Sequence, residues 1–159
     1  MSVSELSTST QNYLKAIWGL KEWSSEPVTA TLIAKQLGLK LSSVSDAVRK
    51  MSKQGLVSHT PYGSVELTEL GRQYALVMVR RHRLLESFLV QALDYTWDEV
   101  HDEAENLEHA VSDMLIERVD KFLDYPTRDP HGDPIPTVDG QITIPSAHRL
   151  TDSGAQSQV

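Results

Sequence analysis

Residues 28–54 read VTATLIAKQLGLKLSSVSDAVRKMSKQ, and this stretch decides the predicted fold. Apolar residues recur at helical spacing on both sides of Gly38, which predicts a short helix over Val28–Leu37 and another over about Ser43–Gln54. The small Ala34 permits a close helix crossing, and the glycine permits a tight turn, as in a helix-turn-helix. The side chains expected to point inward are Leu32, Ile33 and Leu37 in the first helix and Val44, Val48 and Met51 in the second.

The segments on either side complete a winged helix. Upstream, Tyr13 and Ile17 have the spacing of an apolar helix face, which predicts an earlier helix over Thr8–Trp23. Downstream, residues 56–67 read LVSHTPYGSVEL and alternate around a Pro-Tyr-Gly turn, which predicts a two-stranded hairpin. Three helices followed by a hairpin are typical of a winged helix-turn-helix, and we assign residues 1–75 to this DNA-binding domain.

The outward face of the third predicted helix is the candidate DNA-binding surface. Short polar side chains come first along this face and cations follow, as in a recognition helix whose N-terminal residues approach base edges. Because the face holds few strong base-reading side chains, phosphate contacts and DNA shape should contribute much of the recognition of a double-stranded operator. An ordinary solvated helix face is the alternative. The predicted DNA-binding residues are Lys40, Ser42, Ser43, Ser45, Asp46, Arg49, Lys50 and Lys53.

Charge is distributed unevenly along the 159 residues. The net charge is −7, yet residues 1–75 hold eight Lys/Arg against six Asp/Glu, whereas residues 76–125 hold five against twelve. The basic half permits DNA binding, and the acidic half can attract cations. Cysteine is absent, which excludes disulfides, zinc–thiolate sites and thiol catalysis. Residues 1–10 lack the features of an export signal and no apolar run could span a membrane, so we expect a cytoplasmic protein with no membrane partner.

The second half is predicted to be helical and to contain a subunit interface. A long helix over Glu69–Leu93 is apolar on more than one face, which indicates a subunit interface, and an amphipathic helix over Ser112–Leu123 follows. We assign residues 76–137 to an all-helical dimerisation and metal-binding domain and residues 138–159 to a flexible tail. The apolar residues concerned are Leu76, Val77, Val79, Leu84, Leu85, Phe88 and Leu89 in the long helix and Met114, Leu115, Val119 and Phe122 in the later one.

Residues 100–110 read VHDEAENLEHA and place candidate metal ligands on one stripe of a helix. The four ligands stand at i, i+4, i+7 and i+8, within roughly 100° of one another on a helix. A histidine and a glutamate at i, i+4 spacing on the preceding helix can face this stripe. Such a group indicates a bound metal, and a solvated charged face is the alternative. The stripe consists of His101, Glu105, Glu108 and His109, and the facing pair is His82 and Glu86.

A metal held by such residues could instead belong to an enzyme or be purely structural. Di-iron helical bundles also place carboxylates and histidines on facing helices, but they use Glu-x-x-His pairs, whereas Asn106 stands three residues before His109. No nucleophile–base pattern or Gly-rich phosphate loop is present, so we predict that the protein is not an enzyme. A purely structural metal is the other alternative, which the sequence does not separate from a sensor. His131 and His148 lie alone in a proline-rich region, and we treat both as non-ligands.

Three stretches downstream of the winged helix resemble one protein family. They read RRHRLLESFL (80–89), VHDEAENLEHAVSD (100–113) and DPHGDPIP (129–136). They resemble the diphtheria toxin repressor family of metal-dependent transcriptional repressors and, within it, the manganese transport regulators. The resemblance covers roughly residues 8–137. It implies a homodimer in which a bound metal fixes the spacing of two recognition helices for operator binding, and repression of metal-uptake genes.

The resemblance also implies which residues hold the metal and which metal it is. Iron-responsive members carry a cysteine at the position of Glu105 and a methionine at that of Asn12. Oxygen in place of sulfur favours Mn²⁺ over softer ions, with an iron-responsive regulator that uses Fe²⁺ as the alternative. Asp46 stands where some relatives place an amide, so the operator sequence is not implied. The implied primary ligands are Asn12, Glu105, Glu108 and His109, and the implied ancillary ligands are His82, Glu86 and His101.

Overall fold

The computed structural model describes residues 2–60 and 63–142, so the tip of the hairpin, His148 and most of the predicted tail lie outside the described residues. By its internal contacts the chain divides into two compact units, one ending at Met78 and the other beginning at Val79. The predicted domain limits, with their boundary after residue 75, stay predictions. The described elements are a 3-10 turn (Val3–Glu5), α1 (Thr8–Glu22), α2 (Ala30–Leu37), α3 (Leu41–Lys53), β1 (Val57–His59), β2 (Val65–Leu67), α4 (Glu69–Leu93), α5 (Trp97–Leu107) and α6 (Asp113–Phe122).

The first unit surrounds an apolar core to which α1, α2 and α3 all contribute. The Thr29 side chain caps α2 by accepting a hydrogen bond from the Leu32 N–H (3.2 Å). Gly38 ends α2 with a φ of +67°, the left-handed conformation that glycine adopts at least cost. The turn between α2 and α3 is therefore tight, as the sequence predicts. The largest fully buried side chains of this core include Leu14, Ile17, Ile33, Val44, Met51 and Leu56.

The wing is an antiparallel hairpin that also contacts the chain before α2. In its register Val57 pairs with Leu67 and His59 pairs with Val65. The Val65 N–H donates to the Val28 carbonyl oxygen (2.7 Å), which joins the hairpin to the segment leading into α2. This arrangement is the predicted winged helix-turn-helix.

The second unit is helical and has its own core. A capping box formed by Thr96 and Glu99 starts α5, and the Ser112 side chain caps α6 by accepting from the Leu115 N–H (3.1 Å). The winged helix followed by this all-helical unit confirms the predicted fold class. The core residues of the unit are Leu84, Leu85, Ala104, Val111, Ile116, Val119 and Ile135.

The proline-rich segment after α6 is fastened to α4 by two arginines. Arg83 Nη1 donates to the Pro134 carbonyl oxygen (2.7 Å), and Arg80 Nη1 donates to the Pro136 carbonyl oxygen (3.0 Å). Just before these contacts along the chain, the Asp129 N–H donates to the Asp133 carbonyl oxygen (2.8 Å), which closes a turn. The side chains of this turn are thereby held against the second unit.

Three details differ from the sequence predictions. The ligand stripe does not lie on one continuous helix, because α5 ends at Leu107 and the chain turns there before Ser112 starts α6. Leu32 is 38% exposed because it is rotated about 100° from the buried Ile33 on α2. On α6, Met114 (64% exposed), Leu115 (46%) and Phe122 (66%) face outward.

The exposed apolar surface also lies elsewhere than predicted. Most of the apolar residues of α4, among them Leu76, Leu84 and Leu89, are buried within the chain itself and present no free apolar face. No helix of the described residues is long and apolar enough to cross a bilayer. Within the second unit, the large exposed apolar side chains are Leu93, Trp97, Met114, Leu115, Phe122, Tyr125 and Val138.

Candidate metal centre

His82 lies at the middle of the candidate metal centre. Its Nδ1 is hydrogen-bonded to Glu108 Oε1 at 2.6 Å, and its Nε2 lies 3.2 Å from Glu86 Oε2. Glu86 is 3% exposed and Glu108 is fully buried. Two carboxylates and an imidazole are therefore removed from water together, which is costly unless positive charge compensates them.

The exposed edge of the centre is formed by His101. Its Nδ1 lies 3.5 Å from Glu86 Oε2 and its Nε2 lies 3.6 Å from Glu105 Oε1. The His101 ring also contacts the His82 ring edge-on, with 4.8 Å between centroids. The i,i+4 spacing puts His82 and Glu86 on one face of α4. It likewise puts His101 and Glu105 on one face of α5.

Five of the six predicted ligands of the second unit fall into sets of neighbouring ligand atoms, and the sixth, His109, lies beside one of them. His109 Nε2, in the turn after α5, lies 3.8 Å from Glu108 Oε2. His82, predicted for the ancillary site alone, is shared between two sets of neighbouring ligand atoms. Within residues 2–60 and 63–142, the sets whose ligand atoms lie within 4.8 Å of one another are His82–Glu86–His101, His82–Glu105–Glu108 and Glu86–Asp129–His131.

The third of these sets contains two residues that the sequence reasoning missed. His131 Nδ1 lies 3.7 Å from Glu86 Oε1 and 3.9 Å from Asp129 Oδ2. Asp129 Oδ1 accepts from the backbone N–H groups of His131 (2.9 Å) and Asp133 (2.8 Å). His131, treated above as a lone non-ligand, is thus placed beside a buried carboxylate. The Asp-x-His spacing was the available signal.

The two buried carboxylates around this third set differ in acidity. Burial raises the pKa of Glu86, but the hydrogen bond and charge of His82 and the charge of His131 outweigh it, so the pKa lies below its usual value. Burial raises the pKa of Asp129, and the charges of Asp133 and Glu86 raise it further. Asp129 therefore holds its proton more tightly than an ordinary aspartate does.

A buried arginine, Arg81, contacts the chain next to the metal centre. Arg81 is 2% exposed and donates from Nη1 to the Glu108 carbonyl oxygen (3.3 Å) and from Nη2 to Asp113 Oδ1 (3.0 Å). These bonds hold the turn that carries Glu108 and His109. Arg81 is thus a positioning residue for two of the predicted ligands.

The seventh predicted ligand, Asn12, belongs to α1 of the first unit. Its side-chain Oδ1 is buried and has no hydrogen-bond partner among the described residues. A buried carbonyl oxygen without a donor is uncommon and costs free energy, which a cation could repay. The orphaned oxygen and the sulfur-free donor set of the second unit both fit a hard divalent cation.

The predicted DNA-binding surface on α3 lies open to solvent. All of its residues are exposed except Ser45, which is half-buried. Asp46 and Arg49 form an ion pair on this face, with side chains 71% and 66% exposed. The buried side of the same helix carries Val44, Val48 and Met51.

Comparison with known families matches both units. A family model described as the iron dependent repressor N-terminal DNA binding domain matches residues 5–65. A second, described as the iron dependent repressor metal binding and dimerisation domain, matches residues 68–137. This chain belongs to the iron-dependent repressor family. Membership confirms the predicted resemblance to diphtheria toxin repressors, which are transcriptional regulators rather than enzymes.

Individual relatives include sensors named for iron and for manganese. The iron-dependent repressor IdeR of Mycobacterium tuberculosis is 39% identical over 134 residues, covering 84% of this chain and 58% of that protein. A manganese-dependent transcriptional repressor solved with manganese is 56% identical with a TM-score of 0.82, and the manganese regulator SloR is 41% identical with a TM-score of 0.76. Each match covers 86% of this chain and 63% of the solved chain. The chain thus spans less than two thirds of these relatives.

Proposed function

We propose that this chain is a manganese-responsive repressor that binds operator DNA as a homodimer in the cytoplasm and controls genes for metal uptake. The observation that carries the proposal is the buried group of Glu86, His82 and Glu108, whose donors are carboxylate oxygen and imidazole nitrogen. Similarity to repressors named for manganese supports the choice of metal. The alternative, an iron-responsive regulator, is supported by similarity to IdeR.

The residues of the helical unit account for a response to metal. A bound divalent cation supplies the positive charge that compensates the buried carboxylates of Glu86 and Glu108 and the partly exposed carboxylate of Glu105. Without it these carboxylates repel one another, while Arg81 still contacts the turn after α5 through the Glu108 carbonyl oxygen. Asn12 stays a predicted further ligand.

We place Asp129 and His131 in the ancillary ligand set with Glu86. This assignment is supported by the distances from His131 Nδ1 to Glu86 and Asp129, and by the pairing of Asp129 with backbone donors that fix its carboxylate. Trp97 contacts the His131 ring, with 4.8 Å between centroids, and can report on it by fluorescence. His131→Gln should weaken a second manganese-binding step and leave the first unchanged. Identical titration curves for the two proteins would contradict the assignment.

The test of the proposed function is a DNA-binding titration at constant ionic strength. Duplexes selected from a random library by the manganese-loaded protein serve as the probe, and affinity is measured with Mn²⁺, Fe²⁺, Zn²⁺ and with a chelator. Reciprocal coupling of metal and DNA should raise the affinity about 5- to 150-fold with the activating ion. Equal binding with chelator and with every ion would contradict the sensor. If the chelator unfolds the second unit, seen as a loss of helical circular dichroism, the result would favour a structural metal.

The homodimer is proposed to use the apolar side chains exposed on the second unit. Leu93 (54% exposed) is the last residue of α4, and Leu115 (46%) lies on α6. The match of residues 68–137 to a metal binding and dimerisation domain supports an interface on this unit. Leu93→Glu and Leu115→Glu, measured by sedimentation equilibrium, should weaken the dimer. A dimer that survives both changes would place the interface elsewhere.

A further inference from the structure

The recognition helix carries an acidic residue that its own stability does not require. Asp46 is the sixth residue of α3, beyond the first turn where a carboxylate interacts favourably with the helix dipole. It caps no helix, and its ion pair with Arg49 is an exposed i,i+3 pair of a kind that adds little stability. The surrounding exposed side chains are hydroxyls or cations, so Asp46 lowers the attraction of this face for phosphate.

We propose that Asp46 and Arg49 together read one C·G base pair in each half of the operator. An ionised carboxylate only accepts hydrogen bonds, and in the major groove it can accept from cytosine N4. Guanine and thymine present acceptors to it, and adenine presents the N7 acceptor beside its amino group. Among the four bases cytosine therefore suits Asp46 best.

Arg49 complements this preference on the other half of the same base pair. Guanine opposite the cytosine presents N7 and O6, both acceptors, which match the donors of a guanidinium. Arginine has five N–H donors in a planar fork, enough to contact Asp46 and a base at the same time. A carboxylate acceptor next to a guanidinium donor on α3 thus matches the major-groove edge of a C·G pair, where the cytosine donor lies next to the guanine acceptors. Contact between the two side chains in the free protein orients the carboxylate before DNA binds.

The proposal rests on the proposed DNA-binding function, and its test separates the two. Full-length wild-type protein and Asp46→Asn are each loaded with Mn²⁺ and used to select duplexes from a random library. We expect a position restricted to C·G in each wild-type half-site, with about 5- to 150-fold weaker binding when it is changed. In the variant this position should relax or shift towards adenine, because an amide pairs with adenine N6 and N7.

A matched charge change controls for electrostatics. Glu26→Gln removes one exposed carboxylate from the loop between α1 and α2, so it should strengthen binding to all duplexes slightly without altering the selected sequence. Circular dichroism and manganese affinity should be unchanged in both variants. If the Asp46→Asn variant selects the wild-type sequence, or merely binds every duplex more tightly, the proposal is overturned and DNA binding stands. Wild-type protein that selects no duplex with Mn²⁺ overturns the proposed function itself.

Discussion

The interiors of the two units are built on different chemistry. In the first unit, the polar residues that are buried as a whole, among those described, are Thr10 and Gln11, and Asn12 adds one buried oxygen. Gln11 Nε2 donates to the Val3 carbonyl oxygen (2.7 Å). The second unit buries a group of charged or polar side chains around one region. These are Arg81, His82, Arg83, Glu86, Ser87, Glu108 and Asp129.

This difference indicates where each unit obtains its stability. Apolar burial stabilises the first unit without any ligand, at roughly 25 cal/mol per Å². In the second unit, buried carboxylates reduce the gain from its own apolar core, because charges leave water at a cost. Metal binding should therefore change the second unit much more than the first. The predictions below test this contrast, starting with the largest effect.

Loss of a central carboxylate should affect metal binding most. Glu108→Gln removes a fully buried negative charge that contacts His82 and lies near His109. We expect manganese affinity, measured by isothermal titration calorimetry, to fall at least about 100-fold, because even groups that only support metal ligands cost up to that much. Glu117→Gln on the exposed face of α6 is the control and should leave affinity unchanged. Equal affinities for the two variants would place the metal elsewhere.

Manganese itself should stabilise the second unit selectively. At a free concentration of about 100 times the Kd, binding adds about 2.7 kcal/mol to the free energy of unfolding. Hydrogen exchange followed by mass spectrometry should show slower exchange in α5 and little change in the core of α2 and α3. Exchange that slows equally in both units would contradict the contrast drawn here.

A packing change should weaken the first unit and spare the metal centre. Gly71 lies in the first turn of α4, where a Cβ would overlap the Leu56 carbonyl oxygen. Gly71→Ala should therefore destabilise this unit by about 1–3 kcal/mol in urea unfolding, because a well-packed backbone has little room to shift. Manganese affinity should remain unchanged. A variant as stable as the wild type would show that the Leu56 backbone can shift at little cost in free energy.

The matched control for that change is another helical glycine of the same unit. Gly19 on α1 has no atom within 4 Å of the place where its Cβ would lie. Gly19→Ala should stabilise the unit by about 0.4–1 kcal/mol, because alanine loses less conformational entropy on folding. Destabilisation by both alanines would indicate that packing at position 71 is not the cause.

The contrast also explains which features were predictable from the sequence. The bounds of α4, and the placement of His82 and Glu86 on one face of that helix, follow from helical spacing, a local signal. Asp129 and His131 could not be placed in this way, because they lie in a turn that reaches Glu86 only through tertiary contacts such as Arg83 with Pro134. The end of α5 at Leu107 was missed because neither glycine nor proline marks it.

The smallest expected effect concerns a carboxylate whose ionisation opposes folding. The pKa of Asp129 is raised, mainly by burial, so its charged form destabilises the metal-free fold. A group with a raised pKa contributes stability below its unfolded pKa of about 4 and loses it as pH rises through the folded value. Asp129→Asn should therefore raise the Tm in chelator at pH 7, by less than manganese raises that of the wild type.

The pH dependence of this gain distinguishes charge from packing. An amide oxygen can still accept from the N–H groups of His131 and Asp133, so the turn should keep its shape. The gain should shrink as the pH is lowered from 7 towards 4 through the raised pKa of folded Asp129, since the wild-type carboxyl then takes up its proton in the folded state. Asp139→Asn, an exposed change in the same segment, should show no gain. A gain in Tm that is constant with pH would mean that the amide improves packing. Buried charge would then reduce the stability of the second unit less than the contrast with the first unit requires.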